Sequence, residues 1–193
     1  MFMKSISRVE IAIIAAFVAL MAATRFHHFG SAISLPDASL AVFFIAGFYL
    51  RSSWLLVALL ALAALIDYLA ISVGGVSDWC VTPAYFFLIP TYAVMWFAGR
   101  WVGARHRETW MALAPLAAAL AVSVTVAFVI SNVSFYFLSG RLPETGLMEY
   151  GLLIMKYFPL YAGSAFAYVA AAVALHVAVA ALSRTQQVAG TKS

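Results

Sequence analysis

The sequence predicts an all-α membrane protein with six transmembrane helices and both termini cytoplasmic. Three observations predict it. Hydrophobic residues make up 66% of the 193 residues and charged residues only 9%. The apolar residues fall into long runs of helical length. The basic residues fall unevenly between those runs. Seven acids and eleven bases do not cover the surface of a 20.8 kDa soluble globule, and lipid removes the need to. No polar stretch is long enough to fold separately, so residues 1–193 form a single transmembrane domain.

Each run justifies one helix, since a span needs about 20 mostly apolar residues. Helix 1 is expected from Ser7 to Thr24. Lys4 and Arg8 ahead of it mimic a signal peptide, but Arg25 follows the run where a small-residue cleavage site belongs. Helix 2 is expected from Pro36 to Leu50, capped by Ser34, and is short for a full span. Helix 3 is expected from Ser53 to Val73 and contains Asp67. Helix 4 is expected from Pro83 to Val102, with a kink at Pro90. Helix 5 falls within Thr109 to Leu138, and helix 6 within Tyr150 to Ser183 with Lys156 and Pro159 near its start. Barrel-type alternation is absent, so helices are the elements that satisfy the backbone in lipid.

With six spans and both termini inside, Lys4, Arg8, Arg51, Arg100, Arg105, Arg107, Arg184 and Lys192 are cytoplasmic, eight of the eleven bases. Arg25, Arg141 and Lys156 then fall outside. The net charge of +4 thus reflects orientation in the bilayer rather than nucleic-acid binding. The outer loops become residues 26–35, 74–82 and 139–149, which hold most of the unusual polar chemistry. On helix 1, Ala12 and Ala16, and Ala15, Ala19 and Ala23, recur every four residues. Such spacing serves close helix packing, either inside the bundle or against a partner membrane protein.

Cys80 is the only cysteine, so no intramolecular disulfide forms. It lies in Gly74-Gly75-Val76-Ser77-Asp78-Trp79-Cys80-Val81-Thr82-Pro83. Pro83 suits the first turn of helix 4, so Cys80 is expected just ahead of a helix N-terminus, where thiolate is favoured over thiol. A thiolate is a strong, soft metal ligand, whereas a lone buried cysteine is otherwise a small hydrophobe. His27 and His28 are adjacent in the first outer loop, and adjacent side chains rarely converge on one ion. A single histidine near Cys80 is the better candidate. Asp67 lies sixteen residues beyond Arg51, about 24 Å along the helix, and a carboxylate at that depth needs a partner or a wet cavity. Lys156 enters helix 6 from the same side, so the two are expected to pair or to face one cavity. Tyr85, Tyr92 and Trp96 share one helical face, as do Tyr157, Tyr161 and Tyr168. The outermost members, Tyr85 and Tyr157, are placed to line an outward-facing cavity. Hydrolase, zincin and nucleotide-loop signatures are all absent from the sequence.

Six short helices, an Ala-x-x-x-Ala first helix and a pocket of outer loops together resemble the S-component of energy-coupling-factor vitamin transporters. Cys80 in its loop, with His28 before it, Asp67 in helix 3 and Tyr85 after it, resembles the solitary cobalamin-specific S-components of Gram-negative bacteria. The resemblance covers essentially the whole chain. It implies a multi-pass protein of the bacterial inner membrane that takes cobalamin from the periplasm. Cys80 would be an axial ligand to the corrin-bound cobalt, displacing the vitamin's own benzimidazole base. His28, Asp67 and Tyr85 would hold the ring and its amides, with Tyr157 and Lys156 also at the pocket. Sulfur donation would weaken the opposite axial bond, so bound cyanocobalamin would lose cyanide. An energising module, a membrane scaffold with two ATPases, would dock on the Ala15/Ala19 face of helix 1. Two other readings stand beside this one. The first is a polytopic scaffold protein of the cell-envelope machinery with no small-molecule ligand. The second is a small membrane enzyme using Asp67 and His28 as acid and base, for which neither a second acid nor an anion clamp is evident.

Overall fold

The structure, a computed structural model, describes residues 7–25, 35–50, 52–106 and 109–190. Seven α-helices follow in order: α1 (Arg8–Arg25), α2 (Ser39–Tyr49), α3 (Trp54–Ser72), α4 (Leu88–Arg105), α5 (Leu113–Leu138), α6 (Leu147–Met155) and α7 (Phe158–Gly190). Short 3-10 turns, Pro83–Phe87 and Trp110–Ala112, precede α4 and α5, and no strand occurs among the described residues. Three stretches are long and apolar enough to cross a membrane: Trp54–Ser72, Trp110–Leu138 and Leu147–Ser183.

The helix boundaries have local causes. Ser7 and Glu10 form a reciprocal capping box at the start of α1, with Ser7 N donating to Glu10 Oε2 at 2.8 Å and Glu10 N to Ser7 Oγ at 3.1 Å. Just ahead of α2, Asp37 accepts from Ser39 N at 2.9 Å; Ser34, the expected cap, lies outside the described residues. Gly75, at φ +67°, turns the chain out of α3. Pro90, Pro115 and Pro159 all sit in the first turn of their helices, where the missing N–H is an orphan anyway. Pro90 therefore does not kink the middle of a helix as expected. The stretch expected as helix 4 divides into a 3-10 turn and α4, and the stretch expected as helix 6 divides into α6 and α7 at Lys156 and Tyr157.

α2 is the axis of the bundle. Every residue from Ser39 to Gly47 is buried, so this short helix has no outward face. It packs on α4 backbone to backbone. A methyl group added at Gly47 would collide with the Trp96 carbonyl, and one at Gly99 with the Phe44 carbonyl. Gly103 is equally confined by Phe48, so Gly99 and Gly103 form a small-x-x-x-small seam. α1 buries Phe17, Met21, Thr24 and Arg25, while Ala12, Ala15, Ala16, Ala19 and Ala23 are exposed. The alanine faces do not serve packing among the described residues.

Successive long helices alternate in direction. One end of the bundle gathers the C-terminal ends of α1, α3 and α5 with the N-terminal ends of α2, α4 and α7, because residues at those ends line one cavity. We predict that Gly99→Leu abolishes a monodisperse folded peak in detergent, and that Gly99→Ala costs at least about 1–3 kcal/mol in thermal unfolding. Gly151→Ala, with open space around it, should cost nothing.

Candidate functional site

The cavity at that end has a volume of about 1080 Å³. This is at or above the top of the range of about 300–1,000 Å³ that small-molecule sites occupy. Its floor is a buried ion network. Arg25, at the end of α1, is only 3% exposed and forks onto Asp67 of α3, with Nε to Oδ1 at 2.7 Å and Nη2 to Oδ2 at 2.6 Å. Its Nη1 also donates to Tyr92 of α4, to Ser39 Oγ at 3.1 Å and, more weakly, toward Asp37 Oδ2 at 3.4 Å. Tyr85, in the 3-10 turn, donates to Asp67 Oδ2 at 2.7 Å. Tyr92 is held in turn by a parallel stack on Phe43, ring centroids 4.3 Å apart. Among the described residues one guanidinium thus faces two carboxylates, a formal surplus of one negative charge.

Asp67 therefore has both a partner and a cavity, but the partner is Arg25 and not Lys156. Lys156 is exposed in the break between α6 and α7 and is not among the residues lining the cavity. The expectation of an Asp67–Lys156 pair is corrected. Arg25 was expected on the outer side, just past helix 1. It is the last residue of α1 and lies on its buried face, four residues after Met21 and eight after Phe17. That spacing was the signal available in the sequence. Asp37 and Ser39, at the start of α2, were not singled out either.

Cys80 lines the cavity and is half-buried. Its loop is folded by local bonds: Trp79 N donates to Ser77 Oγ at 3.2 Å, Val81 N to Asp78 O at 2.8 Å and Thr82 N to Cys80 O at 3.1 Å. Arg141, between α5 and α6, lies over the Trp79 ring at 4.8 Å and pins this loop to the next. The expected thiolate is not favoured here. Burial and the Asp67 charge push the Cys80 thiol above its ordinary range, and Arg141 pulls only partly the other way. The element that follows Cys80 is a five-residue 3-10 turn, which has little macrodipole to offer.

Tyr85 and Tyr157 both line the cavity, with Tyr161 and Ser164 beside them on α7. Ser131 and Asn132 give the α5 wall a polar stripe that went unnoticed in the sequence. Tyr150 of α6 donates to Asn132 Oδ1 at 3.3 Å, tying that wall to α6. His27 and His28 lie outside the described residues. Among the described residues no three His, Cys, Asp or Glu side chains gather as a metal site.

Comparison with protein-family models and with characterised proteins gives no match. The site itself defines the class: a helical protein of membrane character with a large one-ended cavity, a charged floor and a single thiol in its wall.

Removing one side of the ion network leaves buried charge uncompensated, which typically costs about 3–5 kcal/mol. Arg25→Ala should lower stability by about that much in detergent unfolding. The paired change Arg25→Met with Asp67→Leu should cost clearly less, since Asp37, 26% exposed, is open to solvent and keeps its bonds to Ser39.

Proposed function

We propose that the chain binds cobalamin from the periplasmic side of a bacterial inner membrane and mediates its uptake, with Cys80 as an axial ligand to cobalt. The observation that carries this reading is a single soft donor, Cys80, in the wall of a cavity of about 1080 Å³. Such a cavity is far larger than a bare ion needs. A lone sulfur suits a metal whose equatorial positions are already filled by its own macrocycle. Asp67, Tyr85 and Tyr157 then bind the amide-bearing rim of the ring, and the resemblance adds His28. Ser131 and Asn132 supply amide and hydroxyl partners on the opposite wall.

The six-span topology with both termini cytoplasmic draws support from the alternating helix directions. Arg8, Arg100 and Arg105 are at the end away from the cavity, so the bias of bases turns the cavity outward. The exposed Ala15 and Ala19 offer α1 to an energising module. Sulfur bound on one face of cobalt weakens the bond on the other. Cyanide leaves with its electron pair, with no change in oxidation state. A scaffold role in the cell envelope would make no use of a large cavity with a charged floor.

Protein isolated from cells fed cyanocobalamin should carry a corrinoid absorption band shifted from that of the free vitamin. Cys80→Ser should weaken binding by about 100-fold or more, since losing even an outer partner of a metal ligand costs about 10–100-fold. No co-purifying corrinoid, or unchanged affinity in Cys80→Ser, would overturn the proposal.

The raised thiol adds a pH dependence. Cys80 is protonated at neutral pH, so coordination releases a proton. Affinity should climb with pH toward the thiol's pKa, by up to about tenfold per unit for one proton released. Between pH 6 and 8 the Cys80→Ser variant should show a flat profile. Arg141→Ala should weaken binding at neutral pH by raising the thiol further.

A further inference from the structure

A second cavity, of about 370 Å³, lies at the opposite end of the bundle. It is enclosed by the C-terminal end of α2, by His106 after α4, by the start of α5 and by α7. The trough is apolar, with Phe44, Leu116, Val169 and Ala172 among its walls. Its polar groups gather at one pole. Tyr49 Oη and His176 Nδ1 are 2.8 Å apart, and the His106 ring meets the His176 ring edge-on at 6.4 Å. Phe48 holds His106 from the side, with ring centroids 5.0 Å apart. His106 Nδ1 is buried and has no hydrogen-bond partner among the described residues. A buried ring nitrogen left in that state is costly, and a ligand atom in the cavity is the natural partner.

We infer that this cavity binds a phospholipid, with one acyl chain in the trough and the phosphate at the His106 pole. Three observations choose this occupant. The cavity is walled by α5 and α7, which belong to the stretches long enough to cross a membrane, so acyl chains are its neighbours in a bilayer. The polar pole lies at the start of the α5 stretch beside the exposed Trp110, and the trough runs inward from it. Headgroup and chain of a phospholipid come in that same order. The third observation is the orphaned His106 Nδ1, with no acidic side chain among the described residues lining the cavity to repel a phosphate. A phosphate oxygen accepts from His106 in its Nδ1–H tautomer, which satisfies the orphaned nitrogen. The inference does not depend on what the larger cavity binds.

Native mass spectrometry of the full chain, titrated with phosphatidylglycerol or with diacylglycerol of identical chains, tests it. The wild type should retain phosphatidylglycerol about tenfold better or more, the ratio given by one hydrogen bond to a charged group. His106→Phe should erase that preference and His106→Asn, which restores a donor, should recover part of it. Ala172→Phe, which fills the trough, should weaken both lipids. The thermal unfolding of each variant should stay near wild type. Equal retention of the two lipids, an unchanged preference in His106→Phe, unchanged retention in Ala172→Phe, or a lipid-free dimer covering the groove would overturn the inference.

Discussion

Arg25 holds its guanidinium between two carboxylates in a place where water is scarce, and the cavity end of the bundle is arranged around it. The fork onto Asp67 fixes the end of α1 against α3. The contact with Tyr92 reaches α4, and Ser39 and Asp37 bring in the start of α2. Four helices that would otherwise associate only through apolar packing are thereby given one register at this end. A buried ion pair contributes little net stability against a hydrophobic replacement. Its value here is specificity of arrangement together with a polar surface at the bottom of a cavity. The backbone contact of α2 and α4 through Gly47, Gly99 and Gly103 is the complementary constraint. It leaves no room for side chains between those helices, so the space appears instead between the surrounding ones.

Much of the fold was legible in the sequence, and the reasons are particular. Helix 3 was read almost to the residue because its apolar run is uninterrupted and ends in Gly74-Gly75, where the chain must turn. Helices 4 and 6 read as single pieces in the sequence, with Pro90 as a kink inside helix 4 and Pro159 near the start of helix 6. The better rule was available. Proline is tolerated in the first helical turn, so each α-helix begins just ahead of its proline, at Leu88 and Phe158. Ala-x-x-x-Ala spacing on helix 1 pointed to packing, yet those alanines are exposed and the tight seam is Gly99-x-x-x-Gly103. Small residues at that spacing mark a helix that admits a close neighbour, and composition alone does not say whether this chain supplies it.

The site was legible in part. Cys80, Asp67, Tyr85 and Tyr157 were singled out from different elements, and all four line one cavity. Lys156 failed because charge and depth were used without helical phase; the break at Lys156 and Tyr157 turns that side chain outward. Arg25 was missed for the converse reason. Counting it only as an outer-side base ignored that it continues the buried face set by Phe17 and Met21. A charged residue on the inward phase of an apolar helix requires a counter-charge, and Asp67 was the unpaired acid waiting for one.

The two poles of the larger cavity make opposite demands on a ligand. The floor carries a carboxylate surplus and hydroxyls, which suit donors such as amide N–H groups. The wall carries a thiol that burial and Asp67 together hold in its protonated form. A thiol in that state is a poor ligand for a weakly held ion, because binding must first displace the proton. It is an adequate ligand for a metal brought close by many other contacts, since proximity then supplies what the proton's removal costs. A large, amide-rimmed ligand that presses its metal against Cys80 while its edge is held by the floor meets both demands at once. Under the corrinoid proposal, affinity and coordination are therefore coupled through Asp67. The same carboxylate that helps hold the ligand raises the proton barrier at sulfur, and Arg141 moderates that field from the other side.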